Sequence, residues 1–340
     1  MISSTKFFIG IDVSKPYFDV SLMVVIDHIK QSVETAHFDN NSAGIKGFDK
    51  WLKTHRVSYN EQSLVVIENT GIYHRLIWSF CSKNQLPIHI GNAANIKWSF
   101  GIARGKNDKI DSVRLCNYAY RESDSLAATA PLNPALLHLK DFISARTKLL
   151  KQITSLRVSI KELGNVNEKT HQKLVERSLK SAIDGIAKSI KDIESEIKKI
   201  IDGDKEFKSN YKLLISIPGI GHVTAVYLIG CTANFAGNPS GKQLACYAGV
   251  APFEHSSGIS IKGKTRVHRM ANKELKRLLH LCALSAIQYN PEIKNYYNRK
   301  KDEGKHSMAV LNAVRNKIVL RVAAVVKNQT PFKNNYKMAA

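Results

Sequence analysis

Short apolar runs in the first third of the chain predict a β-sheet that is covered by helices. Two β-branched runs, residues 7–13 and 18–26, flank a turn and predict an antiparallel strand pair. Further strands are predicted near residues 32–38, 64–68 and 87–91, and helices at residues 41–55, 73–83 and 108–121. The order β-β-β-α-β-α-β-α predicts a three-layer α/β domain over about residues 5–125.

Helical periodicity replaces this pattern after a small-residue, proline-bearing connector at residues 126–134. Apolar residues then recur at steps of three and four in two stripes, which suits either an antiparallel helical hairpin or a coiled-coil arm between chains. The first stripe comprises Leu149, Leu150, Ile153, Leu156, Ile160 and Leu163, and the second Ile183, Ile186, Ile190, Ile193, Ile197 and Ile201. A turn is predicted near residues 164–173. Residues 205–330 are predicted to be mainly helical, with a Gly/Ser-rich loop near 255–265 and frayed last ten residues.

The positive charge of the chain is concentrated in its C-terminal part. The 51 Lys and Arg outnumber the 28 Asp and Glu, giving a net charge of +23. Residues 1–130 contribute +3, residues 131–204 contribute +4, and residues 205–340 contribute +16. Such a surface attracts polyanions through counterion release, and nucleic acid is the commonest polyanion partner.

Several function classes are excluded by what the sequence lacks. No apolar stretch approaches the ~18–20 residues of a membrane span, and the first residues carry no apolar signal core. The five cysteines are scattered without a CxxC pair, which argues against a disulfide framework and a structural zinc site. A cytoplasmic protein is therefore expected.

Four carboxylates stand where a catalytic metal site would need them. Asp12 and Glu68 end predicted core strands, whereas Asp108 and Asp111 share one face at the start of a predicted helix. If the two strands are neighbours, a helix that crosses their ends brings all four together. Two Mg²⁺ or Mn²⁺ ions would then stabilise the cluster and support phosphodiester chemistry. Taken singly, Asp12 could start a turn, and Glu68 and Asp108 could cap helices.

Two further segments suit contact with phosphate. Arg104 and Lys106 precede the aspartate pair, although they could equally lie in a solvated loop. Residues 214–225 have the form of a helix-hairpin-helix element, in which Gly219 and Gly221 permit a tight turn and expose backbone N–H groups. A plain turn between helices is the alternative.

The predicted C-terminal loop combines hydroxyl groups with cations. Residues 253–269 contain three serines and a set of basic residues, namely Lys262, Lys264, Arg266 and Arg269. A serine in such a loop can attack a phosphate while the cations offset the charge of the transition state. Most serines in basic loops simply face solvent, so composition by itself leaves both interpretations open.

Six motifs in register resemble the insertion sequence 110 family of transposases, which is related to Piv-type DNA invertases. They are Gly-Ile-Asp-Val-Ser-Lys at 10–15, Ile-Glu-Asn-Thr-Gly at 67–71, Asn-Asp-Lys-Ile-Asp-Ser at 107–112, Ser-Ile-Pro-Gly-Ile-Gly at 216–221, Ala-Cys-Tyr-Ala-Gly-Val-Ala-Pro at 245–252, and Ser-Gly-Ile-Ser-Ile-Lys-Gly at 257–263. The resemblance covers nearly the full length. The family often has glycine where this chain has Ala271.

The resemblance implies three regions. Residues 1–125 would form a RuvC-like, that is RNase H-like, domain, residues 126–204 a linker and coiled-coil helices, and residues 205–340 the C-terminal transposase domain. The first region would carry a DEDD tetrad that binds Mg²⁺ or Mn²⁺, made here by Asp12, Glu68, Asp108 and Asp111. The family's Ser-Gly pattern places the nucleophile at Ser257, with Ser256 and Ser260 as nearby competitors.

The function that the resemblance implies is metal-dependent recombination of DNA through a 5′-phosphoserine intermediate. Several members of the family are guided by a structured bridge RNA, so DNA, a guide RNA and further copies of the chain, in a dimer or tetramer, are the expected partners. The expected location is the bacterial or archaeal nucleoid. Two alternatives remain, namely a two-metal nuclease or junction resolvase without a serine nucleophile, and a non-catalytic DNA- or RNA-binding protein.

Overall fold

The computed structural model divides the chain into two compact units, Met1–Leu132 and Asn133–Ala340. It describes residues 4–69, 71–100, 108–131, 133–166, 169–257, 261–267 and 271–333; the side chains of residues 108–109, 254–257 and 261–266 lie outside this description.

The first unit is built on a mixed β-sheet. Its strands are β1 (Thr5–Val13), β2 (Tyr17–Ile26), β3 (Ile29–Lys30), β4 (Glu34–Asp39), β5 (Ser63–Glu68) and β6 (Ile88–Gly91). The order is β3-β2-β1-β5-β6, with β4 also paired to β2. Strands β1, β5 and β6 run parallel, whereas β2 is antiparallel to β1. The predicted α/β sheet is therefore confirmed, and the short β3 is an addition that the pattern did not predict.

Helices cover both faces of this sheet because its central strands are apolar on both sides. The helices are α1 (Ser42–Thr54), α2 (Arg75–Lys83), α3 (Ala93–Ser99) and α4 (Asp108–Arg121). Phe48 of α1 and Ile77 of α2 are fully buried against one face, together with Ile9 and Phe18. The other face packs Phe8 and Val66 against Leu115 and Cys116 of α4.

Helix α4 lies unusually close to β1 because Gly10 has no side chain. A Cβ atom built at Gly10 would be 2.0 Å from the backbone nitrogen of Cys116 and 2.3 Å from the carbonyl oxygen of Ser112. The Cys116 thiol donates to the carbonyl oxygen of Phe8 at 3.1 Å. The Ser21 and Ser112 hydroxyl groups share a buried hydrogen bond of 2.8 Å. These contacts fix the position of α4 on the sheet.

We expect Gly10→Ala to destabilise the first unit by about 3 kcal/mol, since backbone atoms must move to admit the methyl group. Thermal unfolding followed by circular dichroism measures the change. Gly47→Ala is the matched control, because its new Cβ would lie 3.4 Å from Phe38, an ordinary contact, in the interior of α1. That control should raise stability by up to ~1 kcal/mol. Equal effects of the two substitutions would contradict the close approach of α4.

The second unit is mainly helical and contains one β-hairpin. Its elements are α5 (Pro134–Val166), α6 (Lys169–Gly203), α7 (Lys205–Ile215), α8 (His222–Cys231), α9 (Gly241–Tyr247), β7 (Pro252–Ser257), β8 (Ile261–Val267), α10 (Lys273–Tyr289), α11 (Pro291–Asp302) and α12 (Ser307–Asn328). The loop predicted near residues 255–265 is wrong, because the segment forms the antiparallel pair β7–β8. The last seven residues, part of the stretch predicted to fray, lie outside the description.

Helices α5 and α6 pack on one another within the chain. Arg146, in the first half of α5, forms an ion pair of 2.7 Å with Glu194 near the end of α6, so the two helices run in opposite directions. The break between them falls inside the predicted turn. Apolar residues of both helices, including Leu139 and Ile197, join one core with α7, α8, α10 and α12.

None of the helices in the described ranges combines the length and the apolar composition that a membrane crossing requires.

Candidate active site

Asp12 and Glu68 lie at the same end of two neighbouring strands. Strands β1 and β5 are parallel, and Ile11 lies opposite Ile67 in their register. The next residue of each strand is an acid, so Asp12 and Glu68 lie side by side at the C-terminal ends of the two strands. Both are half-buried. The neighbouring strands that the sequence argument required are therefore present.

The simpler structural roles for these two residues are wrong. Asp12 lies within β1 opposite Asp19 of β2, and the turn between the strands is held instead by Ser14, whose hydroxyl donates to the carbonyl oxygen of Tyr17 at 2.7 Å. Glu68 cannot cap α2, because that helix begins at Arg75 with His74 in the capping position. Neither carboxylate is explained by a turn or a cap.

The start of α4 is directed toward this edge of the sheet. Cys116 of α4 contacts Phe8 of β1. Ser112, one turn earlier in α4, lies over Gly10, which comes two residues later in β1. The helix and β1 thus run in opposite directions. Asp108, the first residue of α4, lies one turn before Ser112. Asp12 lies two residues after Gly10 in β1, toward the same end.

Asp111 carries a counter-charge that the sequence argument missed. Its Oδ1 accepts from Nη1 of Arg114 at 2.7 Å, and both side chains are half-buried. The i,i+3 spacing was the available signal. In the part of the chain with described side chains, which excludes that of Asp108, no three His, Cys, Asp or Glu residues form a group that could hold a metal ion.

A further carboxylate lies beside Asp12. Asp19 is the register partner of Asp12 across β1 and β2, and its Oδ1 lies 3.1 Å from Nδ1 of His37. Asp19 was not predicted from the sequence, although its position follows from the antiparallel pairing once the turn is placed.

The predicted helix-hairpin-helix segment forms two helices, α7 and α8, joined at residues 216–221. Gly219 has a φ of +90°, and a Cβ atom there would lie 2.4 Å from the carbonyl oxygen of Cys282. Its role is the close packing of the turn on α10. Gly221 differs, since it is exposed, has open space around it and occupies the N-cap position of α8 without a side-chain cap. Of the two glycines, Gly221 is the one open to a ligand.

Ser257 is the last residue of β7 and lies opposite Ile261 of β8. Ser256 lies opposite Lys262 in the same register. The connection of residues 258–260, with Ser260, is outside the described residues, as are Arg104, Lys106 and Arg269. The side chains of Ser257, Ser256, Lys262, Lys264 and Arg266 are likewise outside them. The structure therefore gives the backbone that carries these groups and not their contacts.

Asn272 anchors the base of the hairpin. Its Oδ1 accepts from the hydroxyl of Tyr227 and from the backbone N–H of Leu275, each at 2.9 Å, and its Nδ2 donates to the hydroxyl of Tyr247 at 2.9 Å. Burial raises the pKa of Tyr227 to about 12. One side chain thus joins α8, α9 and the start of α10. Sequence pattern alone marks Asn272 only as a possible helix cap.

Ala271, where the family often has glycine, also packs at the hairpin base. Gly249 has a φ of +65°, and a Cβ atom there would lie 2.3 Å from the Cβ of Ala271. The close contact therefore requires glycine at position 249, and with glycine there the methyl group of Ala271 fits without a clash.

An α/β unit with carboxylates at adjacent strand ends, joined in one chain to a basic helical unit, has the features that an enzyme acting on nucleic acid needs. The comparisons with known proteins make that class specific. A DEDD-type IS110 transposase model matches residues 9–163, and a model described as Transposase IS116/IS110/IS902 family matches residues 211–298. The chain belongs to the IS110 family of transposases. It is thus a DNA recombination enzyme, DNA is a partner, and the DEDD-type domain points to a divalent metal ion.

Relatives with known names agree with this assignment. The chain is 28% identical to the pilin gene-inverting protein of Moraxella bovis over 96% of the chain and 98% of that protein. It is 32% identical to the insertion element IS110 uncharacterized 43.6 kDa protein of Streptomyces coelicolor over 43% of the chain and 35% of that protein. It is 34% identical to the insertion element IS900 uncharacterized 42 kDa protein of Mycobacterium paratuberculosis over 32% of the chain and 27% of that protein.

Proposed function

We propose that the chain cuts and joins DNA through a phosphoserine intermediate, with metal ions held by Asp12, Glu68, Asp108 and Asp111. The observation that carries this proposal is the opposed direction of β1 and α4. Because of this direction, the first residues of α4 lie toward the end of the sheet at which β1 and β5 terminate. A tetrad spread over two strands and one helix start needs that geometry.

The sheet supports a RuvC-like, RNase H-like first domain. Three antiparallel strands, β1, β2 and β4, are extended by two parallel strands, β5 and β6, and a helix packs across the central strand. The two central parallel strands end in acids on one side of the sheet. This arrangement brings catalytic carboxylates to a strand edge that a DNA backbone can reach.

The donor set fits a hard divalent cation. Carboxylate oxygens are the ligands that Mg²⁺ and Mn²⁺ prefer, and Asp12 and Glu68 bring two half-buried carboxylates to neighbouring strand ends. When bound, the metal would supply Lewis-acid stabilisation of the charge that develops on the phosphate. Arg114 holds the Asp111 carboxylate by their ion pair and keeps that side chain in a fixed orientation.

Ser257 would be the nucleophile. In the proposed step a bond forms between its Oγ and the phosphorus, and the bond between the phosphorus and the 3′ oxygen breaks. The serine proton leaves and the departing 3′ oxygen gains one, so a 5′-phosphoserine and a 3′-hydroxyl result. Lys262, Lys264, Arg266 and Arg269 would offset the negative charge of the transition state. The Asn272 network would hold the base of the strand that carries the serine.

The helical pair and the basic second unit would serve assembly and guidance. We assign α5 and α6 to the proposed coiled-coil region, through which the chain forms a dimer or tetramer. The +16 charge of residues 205–340 suits a structured guide RNA as well as DNA. Arg104, Lys106 and the exposed Gly221 are further proposed contacts with phosphate.

A strand-exchange reaction tests the proposal. Purified protein is incubated with element-end DNA, a target duplex and the transcript of the element end, with Mg²⁺ or with a chelator. We expect recombinant product and a protein–DNA adduct that survives denaturation, both requiring the metal. Metal-dependent cleavage without an adduct would show a nuclease or junction resolvase instead. Binding without cleavage under every condition would show a non-catalytic DNA- or RNA-binding protein.

A further inference from the structure

A buried arginine on α12 lies against α10 without a carboxylate partner among the described side chains. Arg315 is only 7% exposed. Its Nη2 lies 2.6 Å from Nδ1 of His280 on α10, and its Nε has no hydrogen-bond partner. Among the side chains that the structure describes, no Asp or Glu forms an ion pair with it. The charge of Arg315 is thus not balanced by those groups.

Burial of Arg315 without a counter-ion lowers the stability of the fold unless an anion binds to the guanidinium. Arginine keeps its proton under all ordinary conditions, and a buried charge without a counter-ion opposes folding. His280 cannot supply the missing charge, since it accepts from the guanidinium. Burial and the nearby Arg315 both lower the pKa of His280, which keeps it neutral. By contrast, Arg321 on the same helix has an ordinary partner, Glu292, at 2.6 Å.

Two polar side chains, one turn before His280 on α10 and one turn before Arg315 on α12, reach the segment that precedes β7. Lys276 lies one turn before His280 on α10, and its side chain is next to Gly249. Asn312 lies one turn before Arg315 on α12, and its Nδ2 donates to the carbonyl oxygen of Val250 at 2.9 Å. Both helices therefore present donors beside the segment that enters β7.

We propose that Arg315, with Lys276 at the outer end, forms a phosphate-binding site for the DNA backbone. A phosphodiester group offers the negative charge that Arg315 lacks and acceptors for its unpaired Nε–H. Charge-assisted hydrogen bonds from a guanidinium to phosphate are among the strongest in proteins. The site deepens the proposed function and rests on it, because the segment before β7, the strand that carries Ser257, is contacted by both α10 and α12.

The test measures binding and stability in Arg315→Met. All proteins carry Ser257→Ala, so that binding is measured without strand cleavage. The binding result then holds whether or not Ser257 is the nucleophile. Affinities for a 20-base-pair DNA duplex and for an RNA duplex of the same length are measured by fluorescence anisotropy across a salt series. Thermal unfolding is followed with and without inorganic pyrophosphate. Arg157→Met is the matched control, because it removes the same charge from an exposed position on α5.

We expect Arg315→Met to lower the affinity for DNA and to raise the thermal stability. Arg315→Met should bind DNA about 10-fold more weakly, with a salt slope reduced by about 1, yet unfold at a higher temperature because an unbalanced buried charge is gone. Pyrophosphate should raise the Tm of the parent and not that of the variant. Arg315→Lys should keep part of the affinity, which covers the case in which the methionine variant folds poorly.

Three results would overturn the site. They are a lower Tm for Arg315→Met in soluble, folded protein, a DNA affinity equal to that of the Arg157→Met control, and a loss confined to RNA duplexes with DNA unaffected. The first would show that the charge is already balanced within the chain.

Discussion

Asp12→Asn should reduce strand cleavage by about 10³-fold or more while the first unit stays folded. The substitution keeps the size of the side chain and removes only its charge. Asp12 lies at the end of β1 beside Glu68, where a metal ion needs anionic oxygens, and an amide is a far weaker ligand. Cleavage of element-end DNA is measured in single turnover with Mg²⁺, and circular dichroism checks the fold.

Asp19→Asn is the matched control for this prediction. Asp19 is the register partner of Asp12 and is also half-buried, and its carboxylate pairs with His37 on β4. The control should change the cleavage rate by no more than about threefold, the size of a screened charge effect. A rate in Asp12→Asn within tenfold of the parent, or an equal loss in both variants, would contradict a specific role for Asp12.

Ser257→Ala should abolish the denaturation-resistant adduct and strand exchange. The methyl group cannot form the bond to phosphorus, so the covalent route is closed rather than slowed. Binding of DNA should be unchanged, because the substitution removes no charge. The adduct is measured on a denaturing gel with DNA labelled on the 3′ side of the cut, in the fragment whose 5′ phosphate is joined to the serine, and binding is measured by anisotropy.

Ser256→Ala separates the nucleophile from its neighbour in β7. The two serines have different register partners, Lys262 for Ser256 and Ile261 for Ser257. Ser256→Ala should retain adduct formation. An adduct that persists in Ser257→Ala and disappears in Ser256→Ala would move the nucleophile by one residue, and persistence in both would remove this segment from the chemistry.

The elements of the first unit could be predicted because their apolar periodicity is strong. The sequence placed α4 at residues 108–121, which are its observed bounds, and β5 within one residue. The seven-residue α3 was missed because a helix of two turns carries too little periodicity. The pattern predicts a loop where the β7–β8 hairpin forms, because Gly, Ser and Lys replace the alternating apolar residues of an ordinary strand.

The candidate site could be predicted only in part. Carboxylates at the ends of apolar strands are visible in a sequence, and so are the serines of a basic segment. The partners of these groups depend on which elements meet in space. The ion pair of Asp111 with Arg114 was within reach of a helical spacing rule, whereas the contacts of Asn272 with Tyr227 and of Arg315 with His280 join residues 35 or more apart in the chain.

Peptide mapping of the protein–DNA adduct tests the central claim most directly. After nuclease digestion and trypsin cleavage at Lys242 and Lys262, the peptide of residues 243–262 contains all three candidate serines. Fragmentation then locates the remaining nucleotide phosphate. The account predicts that the added mass lies on Ser257. A modification on Ser256, Ser260 or a residue outside this peptide, or cleaved DNA with no linked peptide, would contradict it.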